Sequence, residues 1–146
     1  MLVMTRSSRF AGVVRGAVAR RGAALMGICN VTPDSFSDGG RFLDRDAART
    51  RVDELIAAGA DIVDVGGEST RPGSKPVPPR EQLERVLPVI RYAVERGACV
   101  SIDTTSVEVA AVCLDAGAHA VNDVSLLRDE DLARVVGGSG ACLVLS

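Results

Sequence analysis

Tryptophan is absent from this chain, tyrosine occurs once and phenylalanine three times. So few rings leave no base-stacking platform. The formal charge of -2 is mixed along most of the chain, which leaves no broad basic face for nucleic acid. No apolar run approaches the roughly 18 residues of a membrane span, so a soluble, cytoplasmic protein with no membrane partner is expected. The only histidine, His119, directly precedes an apolar run and reads as a packing or surface residue. None of Cys29, Cys99, Cys113 and Cys142 forms a CxxC pair. They sit in apolar segments and read as buried free thiols of a reducing compartment, and no partner base is visible for Cys29 as a nucleophile.

Acidic residues are missing from the first 23 positions, where Arg6, Arg9, Arg15, Arg20 and Arg21 occur. That pattern can mark a transit peptide, but arginine supplies nearly all the basic charge of the whole chain. Residues 1–23 therefore read as a basic lead-in, frayed or hairpin, that caps the bottom of the fold. Residues 24–146 form the domain proper.

From Ala24 onward two patterns alternate. Short apolar runs at Ala24–Cys29, Asp61–Val65, Ala98–Ile102, Ala118–Val121 and Ala141–Leu145 predict buried strands. Helical periodicities fill the gaps. In Asp44–Ala58, Ala47, Ala48, Val52, Leu55 and Ile56 share one face; in Pro79–Glu95, Leu83, Val86, Leu87, Ile90 and Val94 do so. Ser106–Ala116 and Asp129–Val136 complete four helices, with Gly59, Gly97 and Gly117 as stops and Ser106 as an N-cap. Pro88 is expected to kink its helix. The turns Ala58–Asp61 and Ala116–His119 reuse one helix-to-strand connection. Alternating elements of this kind predict an α/β protein with a parallel sheet. Strand count alone does not separate a flavodoxin-like sheet from part of a (β/α)8 barrel.

The chemistry concentrates in the loops. Asn30–Gly40 reads NVTPDSFSDGG, directly after an apolar run, with more polar groups than a turn needs. The chain from Met26 through that loop resembles the first loop of the dihydropteroate synthases of folate biosynthesis. DIVDVGGESTRPGS (Asp61–Ser74), VSIDTT (Val100–Thr105) and AVNDVS (Ala120–Ser125) follow in the order of that family. The resemblance covers nearly everything from Leu25 onward. It implies the first half of a (β/α)8 TIM barrel, with each motif at the carboxyl end of a strand.

It also implies an enzyme that joins 6-hydroxymethyl-7,8-dihydropterin pyrophosphate to p-aminobenzoate and releases pyrophosphate. Asp103 would bind the pterin and stabilise positive charge developing at the reacting carbon, and Asn122 would supply an amide to the pterin edge. Asn30 would offer an oxygen to Mg2+. Thr70, Arg71 and Pro72 match contacts at the junction of the two substrates, Asp38 is the loop-one carboxylate nearest the amine, and Phe36 offers apolar surface to the aminobenzoate ring. Gly39, Gly40, Gly66, Gly67 and Gly73 are expected as loop hinges. Asp64 and Glu68 read as acceptors that brace the second loop.

The family's second half brings an aspartate, a lysine, and an arginine and histidine that complete its pocket. None is found here, so the chain reads as incomplete and inactive alone, awaiting a missing carboxyl-terminal half or a homo-oligomeric partner. A non-catalytic pterin or pyrophosphate binder, and a methyltetrahydrofolate-binding methyltransferase-like domain, remain alternatives.

Overall fold

The computed structural model describes residues 5–32, 40–69 and 76–146. Among them the elements run α1 (Arg6–Arg21), β1 (Met26–Asn30), α2 (Gly40–Ala57), β2 (Ile62–Gly66), α3 (Pro79–Glu95), β3 (Cys99–Asp103), α4 (Val107–Asp115), β4 (Ala120–Asp123), α5 (Glu130–Ser139) and β5 (Cys142–Leu145). All strands pair parallel, in the spatial order β1-β2-β3-β4-β5. This order decides between the two architectures. A doubly wound sheet reverses direction at a switch point, whereas unbroken sequential order winds one way, as a barrel does.

The two faces of the sheet carry different cores. Cys29, Val63, Val65, Val100, Ile102 and Val121 pack outward against α2 to α5 through Val52, Val86, Ile90, Ala110, Leu114 and Leu132. Each fully buried aliphatic side chain of this set contributes about 1.5–3 kcal/mol. Leu83, Leu87 and Val94 of α3 pack at the margin of this core, while Val89 and Ala93 lie inside it. Pro88 lies within α3 without ending it.

Alternate residues point to the inner face. There Ile62, Cys99 and Ala120, the first residues of β2, β3 and β4, pack with Phe10 of α1.

Three helices hand over to strands in the same way. Gly59, Gly97 and Gly117 take φ of 86°, 78° and 107°, a region open to glycine at little cost. Their amides bond Ile56, Val94 and Leu114, and the next amides bond Leu55, Ala93 and Cys113. This paired bond pattern closes a Schellman-type helix end. The connection inferred twice from sequence is therefore used three times.

The lead-in is a correction. In place of a hairpin or disordered segment, Arg6–Arg21 is a helix, capped by the Thr5 side chain at Ser8 N and by Gly22 at φ 80°. Its arginines reach the ends of later helices: Arg6 donates to the Ser139 carbonyl, Arg9 to Gly97 at 2.8 Å and Arg21 to Gly59. Cations suit these positions because a helix ends in unsatisfied carbonyls and partial negative charge. Asp61 pairs with Arg20 and Arg21 and accepts the Leu25 amide at 2.8 Å. As expected from sequence, α1 closes the bottom of the sheet.

Candidate functional site

Parallel register puts Asn30, Gly66, Asp103 and Asn122 on a single rung at the carboxyl ends of β1 to β4. Side chains at one register position of a parallel sheet share a face, so Asn30, Asp103 and Asn122 converge on the inner side. Gly66 makes room between two of them. A methyl group there would stand 3.2 Å from Asn30 Oδ1 and 3.6 Å from Asp103 Oδ2.

Gly66 and Gly67 therefore correct the hinge reading. Gly67 is pressed against α3, where a Cβ would meet Val86 Cγ1 at 2.8 Å, and Arg85 holds its carbonyl at 2.8 Å. Neither has a positive φ. Gly40 opens α2, and Gly39 and Gly73 lie outside the described residues. Glu68 braces this turn as expected, accepting from Gln82 Nε2 at 2.8 Å and from the Val77 amide.

Asp103 lines a cleft of about 250 Å³ with Glu68, Ser69, Thr104, Thr105, Val124, Ser125 and Arg128. Burial, with the carboxylates of Asp64, Asp123 and Glu68 nearby, pushes Asp103 up to about 6. It is no helix cap, since Ser106 accepts the Val109 amide at the start of α4.

Asn122 belongs to a buried polar chain. Asp64, 3% exposed, accepts Ser101 Oγ at 2.5 Å and Asn122 Nδ2 at 3.0 Å, and Ser146 Oγ donates to Asn122 Oδ1 at 3.0 Å.

The neighbouring Asp123 is structural. It accepts the Ser125 amide and hydroxyl and the Leu127 amide, and so holds Leu126 and Leu127 at φ of 57° and 59°. Burial raises its carboxyl, but the bonds from Ser125 and Leu127 and the charge of Arg128 outweigh this and hold it below the usual range.

The remaining sulfur and imidazole groups stay outside the chemistry. All four cysteines are free thiols. Burial pushes Cys29 up to about 11 despite Arg51, so it is protonated at neutral pH and a poor nucleophile. His119 is a packing residue whose Nδ1 accepts the Val100 amide at 3.2 Å; burial and the charges of Arg9 and Arg6 keep it neutral.

Phe36, Asp38, Thr70, Arg71 and Pro72 lie outside the described residues. Of the sequence-derived candidates, Asn30, Asp103 and Asn122 are brought together. Arg128 is not among the candidates drawn from sequence, and Asp64, expected to brace the second loop, accepts instead from Ser101 on β3 and Asn122 on β4. For Arg128 the available signal was its place directly after the fourth-strand motif. Among the described residues no group of three or more His, Cys, Asp or Glu side chains forms a metal cage, and no helix is long and apolar enough to cross a membrane.

A singly wound parallel sheet with its polar groups gathered at the strands' carboxyl ends has the arrangement of part of a (β/α)8 barrel. More narrowly, the chain belongs to the pterin binding enzyme family, whose profile matches residues 26–146. Its relatives include the dihydropteroate synthase of Mycobacterium leprae, 49% identical over 122 residues, which cover 83% of this chain and 43% of that protein. A dihydropteroate synthase from Clostridium difficile, crystallised in the presence of pteroic acid, superposes with a TM-score of 0.79 at 46% identity, over 82% of this chain and 46% of that one. The Xanthomonas albilineans enzyme with 4-aminobenzoic acid gives 0.77 at 44% identity, over 82% and 45%. The chain thus spans less than half the length of these relatives, and its fold is the corresponding part of their TIM barrel.

Proposed function

We propose that this chain carries the pterin-facing part of a dihydropteroate synthase site, which condenses 6-hydroxymethyl-7,8-dihydropterin pyrophosphate with p-aminobenzoate. The observation that carries this reading is the pairing of Asp103 and Asn122 on one inner rung. A carboxylate and an amide side by side match the donor and acceptor edge of a flat pterin. In the reaction the bond from the pterin methylene carbon to pyrophosphate oxygen breaks, the arylamine nitrogen bonds that carbon, and a proton leaves the nitrogen. Positive charge builds on the pterin as the leaving group departs. With its carboxyl at about 6, Asp103 is mostly ionised at neutral pH and stabilises that charge.

Thr70, Arg71 and Pro72 are assigned to the junction of the substrates, Asp38 to the amine and Phe36 to the aminobenzoate ring. Asn30 is exposed at the end of β1, and its lone amide oxygen suits Mg2+, which keeps several waters and binds substrate phosphates rather than an all-protein cage. When bound, the ion would neutralise charge on pyrophosphate.

The test is equilibrium binding of 6-hydroxymethylpterin to the chain, followed by turnover with both substrates and Mg2+ after addition of a separately expressed carboxyl-terminal half. Asp103→Asn and Asn122→Ala are expected to weaken pterin binding about tenfold or more. Absence of pterin binding both with and without that half would overturn the assignment.

A further inference from the structure

Asp64 is a buried carboxylate whose hydrogen-bond partners are neutral: Ser101 Oγ at 2.5 Å and Asn122 Nδ2 at 3.0 Å. Burying a charge without a cation is unfavourable. The inner face has no need of it for filling, because Ile62 and Cys99, at the amino ends of β2 and β3, pack there as apolar groups beneath Phe10.

The carboxylate does impose one thing. Asp64 accepts through both oxygens, Oδ1 from Ser101 Oγ and Oδ2 from Asn122 Nδ2, so the Asn122 amide turns its NH2 side to it. Asn122 Oδ1 must then turn away from β2. It meets the hydroxyl of Ser146 at 3.0 Å, and Ser146 lies beyond the final rung that pairs Asp123 with Leu145, on the side of the strands' carboxyl ends.

Resting on the pterin-site reading above, we propose that Asp64 is a positioning residue. It fixes the Asn122 amide so that its carbonyl oxygen is offered, as a hydrogen-bond acceptor, to a flat heterocycle presenting an N–H edge. The Ser146 hydroxyl holds the place of that N–H in the free chain. Without Asp64 the amide is free to rotate and present its NH2, and discrimination between donor and acceptor edges is lost.

Two variants separate this role from a general contribution to folding. Asp64→Asn is isosteric and can still accept from Asn122 while donating to Ser101 Oγ. Asp64→Ala removes the acceptor. The first readout is ligand-free: exchange rates of the Asn122 side-chain amide protons by NMR. These are expected to be slow in the parent chain and in D64N, and fast in D64A. The second readout is the Kd for 6-hydroxymethylpterin, expected to rise about tenfold in D64A and to stay within about threefold in D64N. Unchanged Asn122 exchange in D64A, or equal loss of affinity in both variants, overturns the proposal. Failure of the parent chain to bind the pterin at all overturns the pterin-site reading instead, while the amide exchange still decides whether Asp64 orients Asn122.

Discussion

The carboxylate of Asp64 adds to burial in raising the Asp103 carboxyl, which stands near 6 rather than in the ordinary carboxylate range. Burial is the larger cause. We predict a midpoint near 6 when Asp103 is titrated by carboxyl NMR. In Asp64→Asn the midpoint falls without reaching the ordinary value, because burial remains.

The sign for stability follows from proton counts. With its folded value above its unfolded one, Asp103 binds more protons folded than unfolded between about pH 4 and pH 6, so its contribution makes the fold less stable as pH rises through that window. Asp61 acts oppositely. The Leu25 amide, with Arg21 and Arg20, holds its carboxyl below the usual range, so its stabilisation is present above the ordinary value and lost as pH falls through the lowered one. Denaturation of the parent chain and of Asp103→Asn at several pH values should differ most above pH 6. Parallel curves throughout would rule the prediction out.

The two adjacent glycines should respond differently to alanine. At Gly66 the added methyl meets the Asn30 side-chain oxygen at 3.2 Å, which a few tenths of an ångström of movement relieves, so stability falls by less than about 1 kcal/mol while pterin affinity drops. At Gly67 the methyl meets Val86 at 2.8 Å and the Gln82 backbone at 3.3 Å. Overpacking there should cost about 1–3 kcal/mol. Urea melts of both variants check the order, and a Gly66→Ala chain less stable than Gly67→Ala contradicts it.

Helix α1 should be held by its ring rather than its charges. Phe10→Ala removes the centre of the lower inner cluster and is expected to destabilise by about 3 kcal/mol. Arg9→Ala removes a surface contact to Gly97 and should stay within about 1 kcal/mol. Chemical denaturation of the two variants decides; equal effects would show the arginines to be the true anchors.

For Asn30 the expected outcome concerns Mg2+. Asn30→Ala should leave Mg2+-free pterin binding within about threefold, while any strengthening of pyrophosphate-ester binding by Mg2+ in the parent chain, expected at about tenfold, should be mostly lost. Titrations with and without Mg2+ test this, and undiminished strengthening in the variant removes Asn30 from the metal's ligands.

The readable parts of the fold were those where local chemistry and burial agree. Asn30, Asp103 and Asn122 each follow an apolar run, so their position at a strand's end was plain from pattern alone. Asp64 was harder, because inside IVDVG (Ile62–Gly66) a single carboxylate looks like an interruption. Its partners Ser101 and Asn122 lie 37 and 58 residues away in sequence, and only register brings them together. Gly66 and Gly67 read as hinges because close approach to another element leaves no mark on the sequence. Helix α1 did leave one: Phe10, Val13, Val14 and Ala17 recur at helical spacing, between Thr5 and Gly22 as caps.

The arginines of α1 have a consequence for how the chain reaches its fold. Arg21, Arg9 and Arg6 are synthesised well before their carbonyl partners, which lie 38, 88 and 133 residues downstream. Helix α1 is thus made ahead of the elements that seat it. Until Ala120 has been synthesised, the apolar seat of Phe10 on Ile62, Cys99 and Ala120 is incomplete, and in this interval a growing chain is open to a chaperone or to a neighbour of its own kind. A bulky fusion ahead of Thr5 would prolong that interval without touching the cleft at the other end of the sheet.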